Sequence, residues 1–367
     1  MKINRNTVIL EYEESLKINE LITLENGIKG RIIELSGTEA TIYVENNKGL
    51  NKDLKILKAG LIKSLPKISP LERIPPNEII HTGISAIDVL LTLVKGQKLP
   101  IFTPAGININ EFIYQLVRQC SISNIVFIGL GITKMDALFF KQNLRTARLF
   151  INKAYDSTFE RLLLPNIALE EAEKMSEKED VLVIIKDMAN YCNSLREFSL
   201  ENNELPSRKG YPSYMYSDLA KIYERAGTFL NRKGSLTLIP IVTLPKDDIA
   251  HPIPDLTGFI TEGQIVLKKE LQYPFIDPLP SLSRLMKDVI KKEHAEISNK
   301  LFRAYSKVSS IRDLVYIVGE ESITEEDKAY LKFGERFEKE FLSQEEFENR
   351  TLRESLSIAK KLLSLIL

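Results

Sequence analysis

The sequence predicts an α/β protein built on a parallel sheet, with a small β-barrel ahead of it and a helical bundle behind. Three changes of texture carry that reading. Up to about residue 65, short β-branched runs are separated by turn signals; from Pro75, strand-like runs alternate with amphipathic ones; after Leu285, the apolar spacing is helical to the end. The expected domains are residues 1–70 (a truncated barrel and its linker), 71–285 (the α/β core) and 286–367 (the helical domain).

Composition narrows the function classes. The chain has 367 residues, 44% hydrophobic and 27% charged, enough apolar material for a substantial core. Its 50 basic residues balance 50 acidic ones, which leaves no general electrostatic case for nucleic acid or a membrane surface. Cys120 and Cys192, the two cysteines, sit in apolar or helical surroundings, which speaks against a disulfide scaffold and for a reducing cytoplasm. The first residues lack an apolar run of signal-peptide length, and no stretch reaches the ~18 apolar residues that would cross a bilayer. Any membrane role is expected to run through partners.

In the first segment, Thr7–Tyr12, Ile28–Leu35, Glu39–Val44 and Leu54–Leu57 read as strands, with turns at 25–27, 36–37 and 46–49. Lys63–Pro70 reads as a proline-bearing linker. The core then supplies strands at Leu99–Thr103, Asn124–Gly129, Ala147–Asn152, Val181–Lys186 and Ser235–Leu244. Between them fall helices at Asn110–Ser121, Lys134–Asn143, Leu169–Lys178, Asn190–Glu201 and Tyr216–Leu230. Val181–Lys186 is aliphatic up to its last residue, as a strand covered on both faces must be. A sheet of this cadence places a ligand at the carboxyl ends of its strands. Pro252 and Pro254 are expected to forbid helix in a stiff loop, and Thr257–Leu267 reads as a strand-like run interrupted at Thr261-Glu262-Gly263. A proline-rich loop then carries Ser281–Arg284 to the tail. The tail reads as helices at 287–308, 311–318, 325–341 and 344–367, with the last apolar run favoured as core over contact surface.

A nucleotide-hydrolysing sheet needs, after its first strand, a glycine-rich turn whose amides face phosphate, with a lysine and a Ser or Thr. Here that turn is Thr103–Asn110, with one glycine, no lysine, and Pro104 removing an amide donor. Phosphate binding by this chain alone is expected to be weak or absent. Gly129–Lys134 is glycine-rich but follows the wrong strand and reads as a tight turn. Asp187 ends the central strand, which suits either a magnesium position or a helix N-cap; without a phosphate loop the cap is favoured. The three histidines have no metal-ligand spacing, and there is no GxSxG elbow.

Three blocks, Ile253–Gly258 (IPDLTG), Ile260–Ile265 (ITEGQI) and Leu279–Leu285 (LPSLSRL), occur in order and together resemble the B subunit of V-type and A-type rotary ATPases. His81–Asp88, Gly96–Pro100, Leu195–Glu197, Lys209–Pro212 and the region Asp218–Gly227 resemble it too. The resemblance covers about residues 75–360 and implies a P-loop-NTPase-like, RecA-like core. It implies a non-catalytic subunit that alternates with catalytic A subunits in a 3:3 ring and contacts central and peripheral stalk subunits. Such a subunit reaches the membrane only through the complex and helps couple ATP turnover to ion transport. Arg284 aligns with the family's arginine finger, supplied in trans; taken alone it reads as an ordinary ion pair between helices and sheet. Ser281, Ser283, Tyr211 and Asp187 are further residues implied to lie near nucleotide. ATP or ADP, with magnesium, would be held at the interface with the catalytic subunit. The chain departs from the family in a shorter N-terminal third and in Ser213, where a glycine usually follows Tyr211-Pro212. Two other readings stay open. One is a catalytic ATPase of the same superfamily, against which the missing lysine loop speaks; the other is a diverged non-enzymatic scaffold.

Overall fold

The computed structural model describes residues 2–4, 7–11, 21–24, 29–36, 39–44, 56–60, 72–319 and 323–366. The chain divides into two compact units, Met1–Ile68 and Ser69–Leu367. The linker expected at 63–70 and the turns expected at 25–27 and 46–49 lie outside the described residues, as does Gly37.

The first unit holds β1 (Lys2–Asn4), β2 (Thr7–Glu11), β3 (Leu21–Leu24), β4 (Lys29–Ser36), β5 (Glu39–Val44) and β6 (Ile56–Gly60). They form one antiparallel sheet in the order β1-β2-β5-β4-β3-β6. Alternation puts Ala40, Ile42 and Val44 of β5 on a buried face with Leu10, Ile22 and Ile32. Where β4 and β5 meet, a side chain in place of Gly30 would come within 2.6 Å of Ile42. The sequence suggests a barrel. Among the described residues, no pairing joins β1 to β6 to close one.

The second unit begins with short strands: β7 (Arg73–Ile74), β8 (Ile79–Ile80) and β9 (Leu93–Val94). It then alternates β10 (Ile101–Thr103), α1 (Ile109–Gln119), β11 (Asn124–Ile132), α2 (Lys134–Asn143), β12 (Arg148–Lys153) and α3 (Thr158–Ser176). The run continues with β13 (Val181–Lys186), α4 (Met188–Glu201), α5 (Met215–Tyr223), β14 (Thr228–Phe229) and β15 (Leu236–Thr243). After α6 (Pro252–Ile260) come β16 (Gly263–Leu267) and β17 (Ile276–Ser283). The main sheet has the order β12-β11-β13-β15-β10-β16-β17; its first six strands are parallel and β17 is antiparallel. Two apolar layers cover it. Along β13, Val181, Val183 and Ile185 point into the layer under α3, α4 and α5, while Leu182 and Ile184 point into the layer under α1 and α2. A strand buried on both faces must be aliphatic at every position, which is how the sequence reveals it.

Two expectations between 250 and 285 fail for identifiable reasons. Pro252 and Pro254 do not forbid a helix; they begin one. In the first turn of a helix the N–H groups have no acceptor within it, so prolines remove no bond there. His251 caps that turn, its Nδ1 accepting from the Ile253 amide at 3.4 Å. Thr257–Ile260 is therefore helical, and the strand starts only at Gly263. The proline-rich loop is likewise a strand, β17, whose Pro278 and Pro280 are accommodated because it forms the edge of the sheet.

The tail is α7 (Lys292–Val318), α8 (Glu325–Arg336) and α9 (Leu352–Leu363). The break expected near residue 310 is absent; Ser310 Oγ donates back to Ser306 O at 3.3 Å and the helix continues. Helix does not resume at Gln344 either, because 344–351 serves as a latch to the core. Gln344 donates to Gly83 O at 2.6 Å and accepts from Ser85 N at 3.1 Å, the Arg350 amide donates to Gly83 O at 3.1 Å, and Ser85 Oγ meets Ser355 Oγ at 2.9 Å. Asp88 shapes the receiving turn by accepting from Thr82 N (2.8 Å), Thr82 Oγ1 (2.7 Å) and Gly83 N (3.0 Å), while burial raises its pKa. The His81–Asp88 block is thus the seat of the helical domain. Ala359, Leu362 and Leu363 are buried, so the final apolar run is core.

Gly83 has φ +71°, and a Cβ there would lie 2.2 Å from Asn349 Oδ1. Gly83→Ala is expected to cost about 1–3 kcal/mol through strain and the displaced latch. An unchanged urea unfolding midpoint would show that the latch contributes nothing.

Candidate functional site

The six parallel strands fix two edges, and the candidate residues divide between them. At the carboxyl edge, β10 ends at Thr103, β13 at Lys186 and β15 at Thr243. In the turn after β10 the Ala105 amide already donates to Asp247 Oδ1 at 2.9 Å, so a carboxylate occupies that amide. Lys269 holds that carboxylate at 2.9 Å and keeps its pKa below the usual range. Lys186, the cation at the end of β13, is spent as well. It bonds Asn110 Oδ1, lies 3.5 Å from Asp136 Oδ2, and faces the Phe140 ring at 5.5 Å. Its burial lowers its pKa.

Asp187 is the N-cap of α4. It accepts from Ala189 N at 2.7 Å, from Thr243 N at 3.1 Å and from Thr243 Oγ1, tying β13 to β15. Burial pushes its pKa up while these bonds pull it down. Gly129–Lys134, expected to be a tight turn, is mostly the end of β11; Gly131 (φ +61°) marks a register shift there and packs against Arg161. Tyr211 is buried near the same edge. Its hydroxyl donates to Asn193 Oδ1 at 3.1 Å, its ring meets His251 edge-on at 5.7 Å, and Arg196 lies over it at 5.3 Å.

The other edge carries Arg284. Strand β17 runs back along β16, with Ile276 opposite Leu267 and Ser283 opposite Gly263, so it ends beside the amino end of β16. The Arg284 amide donates to Glu262 O at 2.9 Å. Its side chain is exposed, and its guanidinium has no hydrogen bond or ion pair among the described residues. The ion pair that the isolated residue suggests is not made. Every other described arginine of the α/β core is hydrogen-bonded, ion-paired or stacked on a ring. Asp187 and Arg284 lie four strand spacings apart, roughly 19 Å across the sheet, and on opposite edges. The structure does not bring them together.

Ser281 and Ser283 are buried beneath the arginine. Ser281 Oγ donates to Asp277 O at 2.5 Å and accepts from Val266 N at 2.8 Å, filling the register shift between β16 and β17. Ser283 Oγ donates to Thr92 O at 3.0 Å and accepts from Gln97 Nε2 at 2.9 Å. Both hydroxyls are consumed inside the protein. Asp247 and Lys269 escape the sequence reading, since nothing local links them to the turn at 105.

Comparison with known proteins gives the family of this fold. A family model described as the ATP synthase alpha/beta family, nucleotide-binding domain, matches residues 83–283. A second, the C-terminal domain of V and A type ATP synthase, matches residues 283–367. The chain belongs to the ATP synthase alpha/beta family, among the B subunits of V- and A-type ATP synthases. The B subunit of the A-type ATP synthase of Aeropyrum pernix is 48% identical over 322 residues, 82% of this chain and 70% of that protein. The V-type ATP synthase beta chain of Halothermothrix orenii is 47% identical over 320 residues, 81% of this chain and 69% of that one. A solved structure described as a unique ATP synthase subunit, NeqB from Nanoarcheaum equitans, superposes with a TM-score of 0.75 at 35% identity, covering 98% of this chain and 99% of that one. The type III secretion ATPase EscN of enteropathogenic E. coli superposes at a TM-score of 0.86 over 99% of both chains, but at 21% identity it speaks for the fold alone.

Two outcomes are expected. Asp187→Ala should cost about 1–3 kcal/mol, because it leaves buried amides without an acceptor, whereas Arg284→Ala should cost less than about 0.5. Urea unfolding of the isolated chain measures both, and equal losses would contradict the division between the edges. Calorimetric titration of that chain with ATP and magnesium should show no binding tighter than about 1 mM.

Proposed function

We propose that this chain is the non-catalytic B subunit of a V/A-type rotary ATP synthase, alternating with ATP-hydrolysing partner subunits and supplying Arg284 to their nucleotide. The observation that carries the reading is the exposed guanidinium, free among the described residues and held at the edge opposite the chain's own nucleotide-like edge. A cation there cannot serve the turn at 105. It can serve a phosphate presented by a neighbour, where the charge of the transferring γ-phosphate is stabilised by a planar fork that never deprotonates. Nucleotide and magnesium would be held by the partner, because this chain's own turn is closed by Asp247. The domains would divide at 1–70, 71–285 and 286–367. The chain would sit on the cytoplasmic side, joined through stalk subunits to an ion-conducting sector. No helix among the described residues is long and apolar enough to cross a membrane.

ATP turnover by the complex with the catalytic partner tests this. Arg284→Ala should leave assembly intact and lower turnover by about 10³-fold or more. Full activity in an assembled complex would remove the trans-acting role, and failure to form any complex would favour the scaffold reading.

A further inference from the structure

Arg284 has a free side chain but not a free backbone, and one buried residue controls the segment it leaves from. Gln97 is fully buried. Its Nε2 donates to Ser283 Oγ at 2.9 Å and to Glu262 O at 3.2 Å, while its Oε1 accepts from Val94 N at 3.0 Å. The first bond grips the residue before Arg284. The second reaches the carbonyl that receives the Arg284 amide. Ser283, having accepted from Gln97, donates its own proton to Thr92 O at 3.0 Å. A directed chain thus runs from the Val94 N–H through Gln97 and Ser283 to Thr92 O, starting and ending on one stretch of backbone. Reversing the Gln97 amide would set its oxygen against Glu262 O, so the direction is fixed by the partners.

The neighbouring residue clamps the same carbonyl's owner from the other side. The Lys98 amide donates to Glu262 Oε2 at 2.8 Å, and the buried Lys98 ammonium lies 2.6 Å from Glu262 Oε1 and 3.0 Å from Glu224 Oε1. These bonds tie the Glu262 side chain to Lys98, next to the Gln97 that holds the Glu262 carbonyl under Arg284. Three blocks separated in sequence (Gly96–Pro100, Ile260–Ile265 and Leu279–Leu285) are one construction around the base of this arginine.

We propose that Gln97 is a positioning residue for Arg284, fixing where its guanidinium emerges so that it meets the partner's phosphate. The proposal rests on the trans-acting reading of Arg284. A group displaced by about 1 Å can lose on the order of 10²-fold in rate, so a buried amide that never touches nucleotide can matter to turnover.

The test is a mutant cycle in the assembled complex with the catalytic partner, reading kcat and KM for ATP. Gln97→Met keeps volume and removes the donated bonds. It should lower kcat about ten- to a hundredfold with KM unchanged, and should have no further effect once Arg284 is Ala. Unchanged kcat, or the same fractional loss with and without Arg284, would overturn the proposal. If Gln97→Met fails to assemble, Ser283→Ala takes its place in the cycle, with Ser283→Thr expected to restore turnover by returning the hydroxyl. A normal rate for Arg284→Ala alone would defeat the trans-acting reading itself. A collapse for Arg284→Ala with no loss from Gln97→Met or Ser283→Ala would defeat only this inference.

Discussion

The antiparallel return of β17 along β16 is the constraint on which the rest depends. Six parallel strands send their carboxyl ends to one edge, so a seventh parallel strand would have put Arg284 there too. Reversal sends it to the other. The reversal is sustained by Gly263, where a side chain would come within 2.2 Å of Leu282 O, and by Ser281, whose hydroxyl replaces backbone pairing at the register shift. The helical domain begins immediately beyond, so the same strand sets where that domain starts.

The two edges differ in how their charges are satisfied. At the carboxyl edge Asp247, Lys269, Lys186, Asp136 and Asp187 all have partners within the chain. Opening that edge for phosphate would break several such bonds and set the Asp247 carboxylate against an anion. At the amino edge the buried Gln97, Ser283 and Lys98 are satisfied within the chain, while the Arg284 guanidinium is exposed and has no partner among the described residues. A guanidinium tolerates that state in water. It gains most where water is excluded and charge develops on a phosphate.

Much of this fold is legible in the sequence. The aliphatic run at 181–186 marks a central strand, and the helix at 134–143 and the strand at 39–44 have the bounds their patterns suggest. Proline misleads, because its effect depends on position: read as a breaker, it is harmless in the first turn of α6 and at the outer edge of β17. The segment 344–351 has a helical composition, yet long-range bonds to Gly83 and Ser85 hold it as a loop. Arg284 is visible through its motif, and so are the serines beside it. That their hydroxyls face inward, to Asp277, Val266, Thr92 and Gln97, is not legible in sequence, since three of those four partners lie 15 or more residues away. Asp247 is invisible for the same reason.

In the proposed function Arg284 crosses from this chain to a neighbour's phosphate. The most direct measurement is a structure of the assembled complex holding ADP with a planar phosphoryl mimic at the partner's site. The Arg284 guanidinium is expected within about 3 Å of the mimic's oxygen or fluorine atoms. A guanidinium turned into solvent, or bound to a carboxylate of the partner while another cation contacts the mimic, would contradict it.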